Sequence, residues 1–168
     1  MTVYDVAFKE LIGYEGGYVN DPRDAGGETK YGISKRANPD IDIKHITLDF
    51  AKDYYYKKFW LPLKLNEVKN AIISTEIMDT AVNMGRGAAA RITQQALNFL
   101  GEDLTEDGIV GPATLGAINK WGHKDERAFF VCLNGFQFMR YAHIIQKMPD
   151  KIVFSRGWTK RIQQYREV

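Results

Sequence analysis

Apolar residues return every three or four positions along most of this chain, which predicts a run of amphipathic helices. Val3, Ala7, Phe8, Leu11 and Ile12 form the first such face. Thr2-x-x-Asp5 opens that helix with a capping residue and an acid in the first turn. The pattern predicts that the helix ends at Gly16-Gly17, leaving Glu15 in the last turn or just past it. Over residues 18–33 the periodicity breaks. Asn20-Asp21-Pro22 and Ala25-Gly26-Gly27 are turn signals, and Thr29 to Ile33 reads as a short strand in an irregular or β-ribbon segment. Ser34 caps one helical turn that Asn38-Pro39 stops.

Helical spacing then resumes. Thr47 is the expected N-cap of a helix with Leu48, Ala51, Tyr55 and Phe59 on one face and Pro62 as its end. Asn66 is expected to cap a stronger helix through Val68, Ile72, Ile77, Met78 and Ala81, ending at Met84-Gly85. Further helices are expected from Gly87 to Leu100, from Gly111-Pro112 to Trp121 with Gly122 as the stop, from Asp125 to about Met148, and from Ser155 to Tyr165. No repeat, linker or low-complexity tract interrupts them. The class is mostly α, with one short irregular or β segment after the first helix.

Length and composition change this picture little. A chain of 168 residues with 45% hydrophobic content is one domain, or a domain with a small lobe, and buries a core without a metal or disulfide staple. A net charge of +2 gives nucleic acid little support as a ligand. Cys132 is the single cysteine, lies in an apolar run, and reads as a small buried hydrophobe. His45, His123 and His143 have no ligand spacing, so neither a metal nor another cofactor is expected. The N-terminus lacks an apolar signal region and no stretch approaches a membrane span. The sequence therefore predicts a soluble chain made in the cytoplasm, without stable membrane insertion.

The candidate chemistry lies where the periodicity fails. Glu15 and Asp24 are nine residues apart and Thr29 is five further on, amid two Gly-Gly pairs. A doubled-back loop at a helix end can gather all three round one pocket. Cleavage of a glycosidic bond needs an acid that holds its proton, raised by burial or a neighbouring charge, and a second carboxylate across the sugar. Tyr14, Tyr18 and Tyr31 flank the stretch and supply apolar, sugar-stacking surface; Thr29 can hold a water beside Asp24. The same residues also suit a purely structural loop, with Glu15 a solvated helix end, Asp24 an Asx-turn residue and Thr29 a strand residue. A phosphate loop is excluded because Ile33 stands where its lysine must be. A calcium loop starting at Asp21 fails at Arg23 and Ala25.

The ordered run EGGY, ND, D-x-GG-x-T and YGI over Glu15 to Ile33 resembles the signature of the N-acetylmuramidases of glycoside hydrolase family 108, phage endolysins and secretion-associated muramidases that cut peptidoglycan. That resemblance implies a lysozyme-like helical domain in which Glu15 is the catalytic acid. The Glu, Asp, Thr order is also similar to that of the phage T4-type lysozymes, although Thr29 is one residue closer here. By that likeness Asp24 and Thr29 position the attacking water and the reaction inverts the anomeric centre. Asp21 is the rival for the second carboxylate and, with Tyr18 and Tyr31, a candidate for substrate binding.

In the second half, the stretch from Leu104 to Ile118 resembles the D-G-x-x-G-P-x-T-x-x-A-I motif of small peptidoglycan-binding modules, with Asp79 to Gly85 and Gln94 to Leu97 fitting the companion domain. Its residues also suit a helix–turn–helix that only packs the core, with Thr114 bonding back within its helix. Asn83 and Met84 sit where a helix ends and are candidate sugar contacts. The resemblance implies a catalytic segment over 1–65 and a binding-like lobe over 66–168 packed as one unit. It further implies a monomer that acts on the glycan strand in the cell wall after release by a holin or a secretion system. Tyr54-Tyr55-Tyr56 cannot all face a core, and Lys160-Arg161 and Arg166 make a basic end.

Overall fold

The computed structural model describes residues 1–13, 17–20 and 27–162. Among them helices dominate: α1 Val3–Ile12, α2 Leu48–Tyr55, α3 Ala71–Met84, α4 Arg86–Phe99, α5 Pro112–Lys124, α6 Glu126–Lys147 and α7 Ser155–Thr159. One antiparallel hairpin, β1 Thr29–Lys30 and β2 Ile33–Ser34, stands between α1 and α2. The chain divides into two compact units, Met1–Pro62 and Leu63–Val168.

In the first unit the capping box forms as the sequence predicts: the Asp5 amide donates to the Thr2 hydroxyl and the Thr2 amide to the Asp5 carboxylate. The helix end is a correction. It stops at Ile12, and Gly13, at φ 61°, caps it by donating to the Lys9 carbonyl. Gly13 takes this left-handed role at no steric cost, so the helix never reaches Gly16-Gly17. Tyr4 is the hub of the core, edge-on to Trp60 and Tyr56 with ring centroids 5.1 and 4.9 Å away, its hydroxyl donating to the Lys52 carbonyl.

The expected α2 face is also corrected. Thr47 caps the helix by accepting from the Phe50 amide, but Leu48 in the first turn is 49% exposed. After Tyr55 the chain makes a π-helical turn, Tyr56–Trp60, in which the Leu61 amide reaches back to the Tyr56 carbonyl. One extra residue in the turn rotates the following side chains by about 100°. Trp60 therefore enters the core at 2% exposure where unbroken periodicity would have sent Phe59.

The segment from Thr29 to Ile33 is a hairpin and not a single strand. Its two turn residues, Tyr31 and Gly32, have φ of 51° and 74°, the pairing that a two-residue hairpin turn requires. The Tyr55 hydroxyl donates to the Tyr31 carbonyl at 3.0 Å and locks the turn to α2. A Cβ on Gly32 would meet that hydroxyl at 2.7 Å.

In the second unit α3 and α4 pack closely through Ala81, Ala89, Ala90 and Ala96, with Ile73, Ile77, Ile92 and Leu97 filling the core beside them. α6 lies against both, burying Phe129, Phe130 and Leu133. Here α3 starts four residues later than expected. Lys64, at φ 53°, and a 3₁₀ turn at Leu65–Glu67 occupy the stretch given to the helix, and Asn70 is the cap, accepting from the Ile73 amide. Gly122 does not stop α5, which runs to Lys124. Asn70 lies on it, donating to the Gly122 carbonyl, and a Cβ there would sit 3.1 Å from the Asn70 Cβ. That glycine serves close approach and not termination. Cys132 is half-buried and so packs less deeply than its apolar run suggests.

Two substitutions test the hairpin lock. Tyr55→Phe is expected to cost about 1 kcal/mol by orphaning the Tyr31 carbonyl, and Gly32→Ala about 1–3 kcal/mol through overpacking and the left-handed backbone. Because the clash is with the Tyr55 hydroxyl, the double variant should cost less than the sum of the two in urea unfolding. Strict additivity would show that the hydroxyl does not limit space at the turn.

Candidate active site

Glu15, Asp21 and Asp24, the carboxylates that the sequence analysis singles out, lie outside the described residues. What is described is the frame on either side of them. Val19 and Thr29 exchange both backbone hydrogen bonds at 2.8 Å, an isolated antiparallel bridge that brings the two ends of the segment 20–28 together. The Glu28 carbonyl accepts from the Lys35 amide at 2.8 Å and ties the same end to the hairpin.

Antiparallel alternation places Tyr18, Asn20 and Glu28 on one face of this ribbon and Val19 and Thr29 on the other. The polar contacts agree. The Tyr18 hydroxyl faces Glu28 and Asn20, and its pKa is raised by partial desolvation, then by Glu28. Tyr18 is 37% exposed, so its ring remains free to meet a ligand. Asp42 adds a second negative charge toward Tyr18 and is itself paired with His45 at 2.8 Å, which lowers its pKa. Tyr31 is placed differently from Tyr18: its carbonyl anchors the turn and its ring lies under the Lys30 ammonium, 5.5 Å away. Glu28 is the residue that the sequence analysis missed. Its signal was its place between Gly27 and Thr29, opposite Asn20 once the chain doubles back.

Asn83 and Met84 form the end of α3 in the second unit, before Gly85 at φ 88°. The Asn83 amide donates to the Tyr141 hydroxyl on α6, so its polar end is engaged within that unit. It belongs to a polar seam between α3 and α6. Glu76 is 1% exposed, and among the described residues neither its carboxylate oxygens nor the buried Gln137 amide on α6 finds a hydrogen bond of good geometry. Burial, then the charge of Asp79, push the Glu76 carboxyl up to about 8, with Asn134 opposing. Asp79 is also raised by burial, against the pull of Arg161, whose guanidinium lies 3.2 Å away. Trp158 stacks on Tyr141 at 4.8 Å and closes the seam.

The second-half motif is organised by a side chain outside its central run. Gln94, fully buried on α4, donates to the Asp107 carboxylate at 2.8 Å, the Ile109 carbonyl at 3.0 Å and the Thr114 hydroxyl at 3.3 Å, and accepts from the Gly108 amide at 2.9 Å. Thr114 thus takes its bond from Gln94 and does not bond back within α5. Gly108 has φ 78° and would place a Cβ 2.8 Å from the Gly87 carbonyl. The D-G-x-x-G-P pattern is a loop latched to α4.

Residues 8–85 match the family model Glycosyl hydrolase 108, and residues 88–163 match the Predicted Peptidoglycan domain. The first match ends after α3, whereas the geometric division falls at Pro62. The solved structure titled "Structure of Brucella abortus SagA" is similar, with a TM-score of 0.73 and 25% identity over 95% of this chain and 88% of that one. No curated protein matches the chain.

The Glu76 geometry predicts a pH dependence. A folded pKa raised above the unfolded value of about 4.3 means that the unfolded chain releases the proton first, so stability is full below that value and falls as pH rises toward about 8. Glu76→Gln should flatten urea midpoints between about pH 5 and 8 and raise the midpoint at the upper end. A wild-type slope that survives the substitution would assign the titration to another group.

Proposed function

With residues 8–85 belonging to glycosyl hydrolase family 108 and residues 88–163 to the peptidoglycan domain, the chain is a glycoside hydrolase acting on peptidoglycan, and we propose that it is an N-acetylmuramidase that cuts the β-1,4 bond from N-acetylmuramic acid to N-acetylglucosamine. The observation that carries the reading is the ordered signature from Glu15 to Ile33 inside the matched span. Glu15 protonates the glycosidic oxygen as the bond breaks. Asp24, with the Thr29 hydroxyl, directs water to the anomeric carbon from the opposite face, and the configuration inverts. Asp21 holds the sugar beside them, and the exposed Tyr18, on the opposite face of the ribbon from Thr29, meets a more distant part of the strand. Tyr31 contributes an edge, and within the second unit Asn83 and Met84 offer a sugar contact once the Asn83 amide leaves Tyr141.

The Val19–Thr29 bridge supports this assignment because it fixes Thr29 at the end of the acid-bearing segment. A hydroxyl anchored on paired backbone is placed before substrate arrives, so its ordering is not charged to the reaction. The catalytic residues then lie in the segment 1–65, and the lobe 66–168 contributes wall binding. Among the described residues no helix is long and apolar enough to cross a membrane. Release of the enzyme to the wall falls to a holin or a secretion system.

Purified peptidoglycan tests the reaction. Glu15→Gln should lower muropeptide release by about 10²–10⁴-fold, the usual worth of general acid catalysis. Asp24→Asn should lower it by more than tenfold, about 1.4 kcal/mol of barrier. Products must carry a free reducing end; anhydro ends would make the enzyme a transglycosylase working through Glu15 alone. Full activity in Glu15→Gln would remove the acid from the mechanism.

A further inference from the structure

A groove of about 730 Å³ opens in the second unit where the residues before α3 meet the last two turns of α5. Lys69, Lys120, His123 and Lys124 line it, with Asn119 and Gly116 between them. Asn119 sets the wall: its carbonyl oxygen accepts from the Lys69 amide at 2.8 Å and its amide donates to the Glu67 carbonyl at 3.0 Å. Lys120 is paired with Glu102, which also accepts from the Trp121 indole. Lys124 rests over the Trp121 ring at 4.3 Å. Among the described residues no acid pairs with Lys69, His123 or Lys124.

Basic side chains in the last turn of a helix are ordinary complements to its dipole, which accounts for Lys124 and for the placing of His123 beside it. It does not account for Lys69, which lines the same groove from another element, its backbone held there by the Asn119 bond. Lys69, Lys120 and Lys124 reach the groove beside two carboxylates, Glu102 paired with Lys120 and Glu126 bonded to the lining Asn70, which leaves Lys69 and Lys124 as the ammonium groups without an acid partner among the described residues. The groove also lacks a stacking platform. Trp121 is buried beneath Lys124, so neither a sugar ring nor a nucleobase finds an open aromatic face. The groove reads negative charge and not rings.

We propose that this groove binds the carboxylates of the short peptides attached to the glycan strand. The inference rests on peptidoglycan being the substrate, since those peptides carry the charged groups of that polymer that a glycan-cutting site leaves unread. Lys120, His123 and Lys124 lie in the span matched to the peptidoglycan domain, and Lys69 lies in the span matched to Glycosyl hydrolase 108. Lysine ammonium groups suit carboxylates scattered along a flexible peptide, because each acts as a mobile point charge and demands no fixed fork geometry.

The test uses the full chain and a disaccharide–tetrapeptide fragment, compared with the same disaccharide freed of its peptide by an amidase. Calorimetry should show the triple variant Lys69→Ala, His123→Ala, Lys124→Ala binding the peptide-bearing fragment at least about tenfold more weakly, roughly 1.4 kcal/mol, with the bare disaccharide unaffected. Lys69→Arg should keep most of the affinity. Should the triple variant fold poorly, the exposed single change Lys69→Gln carries the test with an expected loss of about threefold. Equal binding of the two fragments, or wild-type affinity in the folded variants, would overturn the proposal. Displacement of the fragment by a polyol-phosphate polymer at the same concentration would reassign the groove to phosphate. Cleavage of peptide-free glycan strands by the wild type is measured alongside. Its absence counts against the muramidase reading, whereas its presence with no groove effect counts against this inference alone.

Discussion

The paired backbone hydrogen bonds between Val19 and Thr29 are the constraint on which the candidate site depends. They close nine intervening residues into a loop whose ends are held in one register. Closing a loop of that size costs a few kcal/mol of chain entropy, met here during folding and before any ligand binds. The fixing propagates outward. Lys35 bonds to Glu28, Tyr55 holds the Tyr31 turn, and Tyr55 in turn belongs to the aromatic core around Tyr4 and Phe8. A side chain on the ribbon is thus referred to a buried helix through a few bonds. The Tyr31-Gly32 turn supplies the two successive left-handed residues that the hairpin needs.

The second unit shows the opposite economy. The first unit uses its polar groups to anchor a ribbon, whereas α3 and α6 bury the Glu76 carboxyl, which finds no hydrogen bond of good geometry among the described residues. The burial of Glu76 is tolerable because it can be neutral at ordinary pH, converting a charge-burial cost into that of a buried carboxylic acid. Asp79 shares part of that cost, since Arg161 meets only one of its carboxylate oxygens and burial still raises its pKa. Gln94 shows a fully satisfied alternative a helix away, with both ends of its amide engaged by the Asp107–Thr114 loop. A buried amide of that kind gives the loop one geometry, since any shift would strand several partners at once.

Helix existence was largely legible in the sequence because period and caps agreed: Thr2, Thr47 and Asp125 each accept from the helix they open. Where reading failed, two local signals competed. Gly13 and Gly16-Gly17 are equally good stops on paper, and the first one reached by a suitable backbone wins. Asn66 and Asn70 are equally good caps, and Lys64 in the left-handed region decided between them. The π-turn after Tyr55 left no mark in composition, because it exchanges Phe59 for Trp60 in the core, both large and aromatic. Gly122 looked like a terminator because its partner, Asn70, lies fifty-two residues away in sequence. Within the candidate site, residue types and order were legible, but Glu28 was not. Its position opposite Asn20 exists only after Val19 and Thr29 pair.

That pairing also sharpens what Thr29 and Tyr18 can do. Alternation sets them on opposite faces of the ribbon, so one ligand approaching one face does not meet both side chains equally. A hydroxyl that helps direct water and a ring that lies against sugar are different tasks, and a two-faced ribbon separates them. The Tyr18 face carries Glu28 and feels Asp42, which makes it acceptor-rich and suited to sugar hydroxyls as hydrogen-bond donors. The Thr29 face carries Val19, more than half exposed and apolar. An attacking water is best held where few other polar groups compete for it. The division of polarity across two strands of backbone thus leaves Thr29 on an apolar face and Tyr18 on an acidic one.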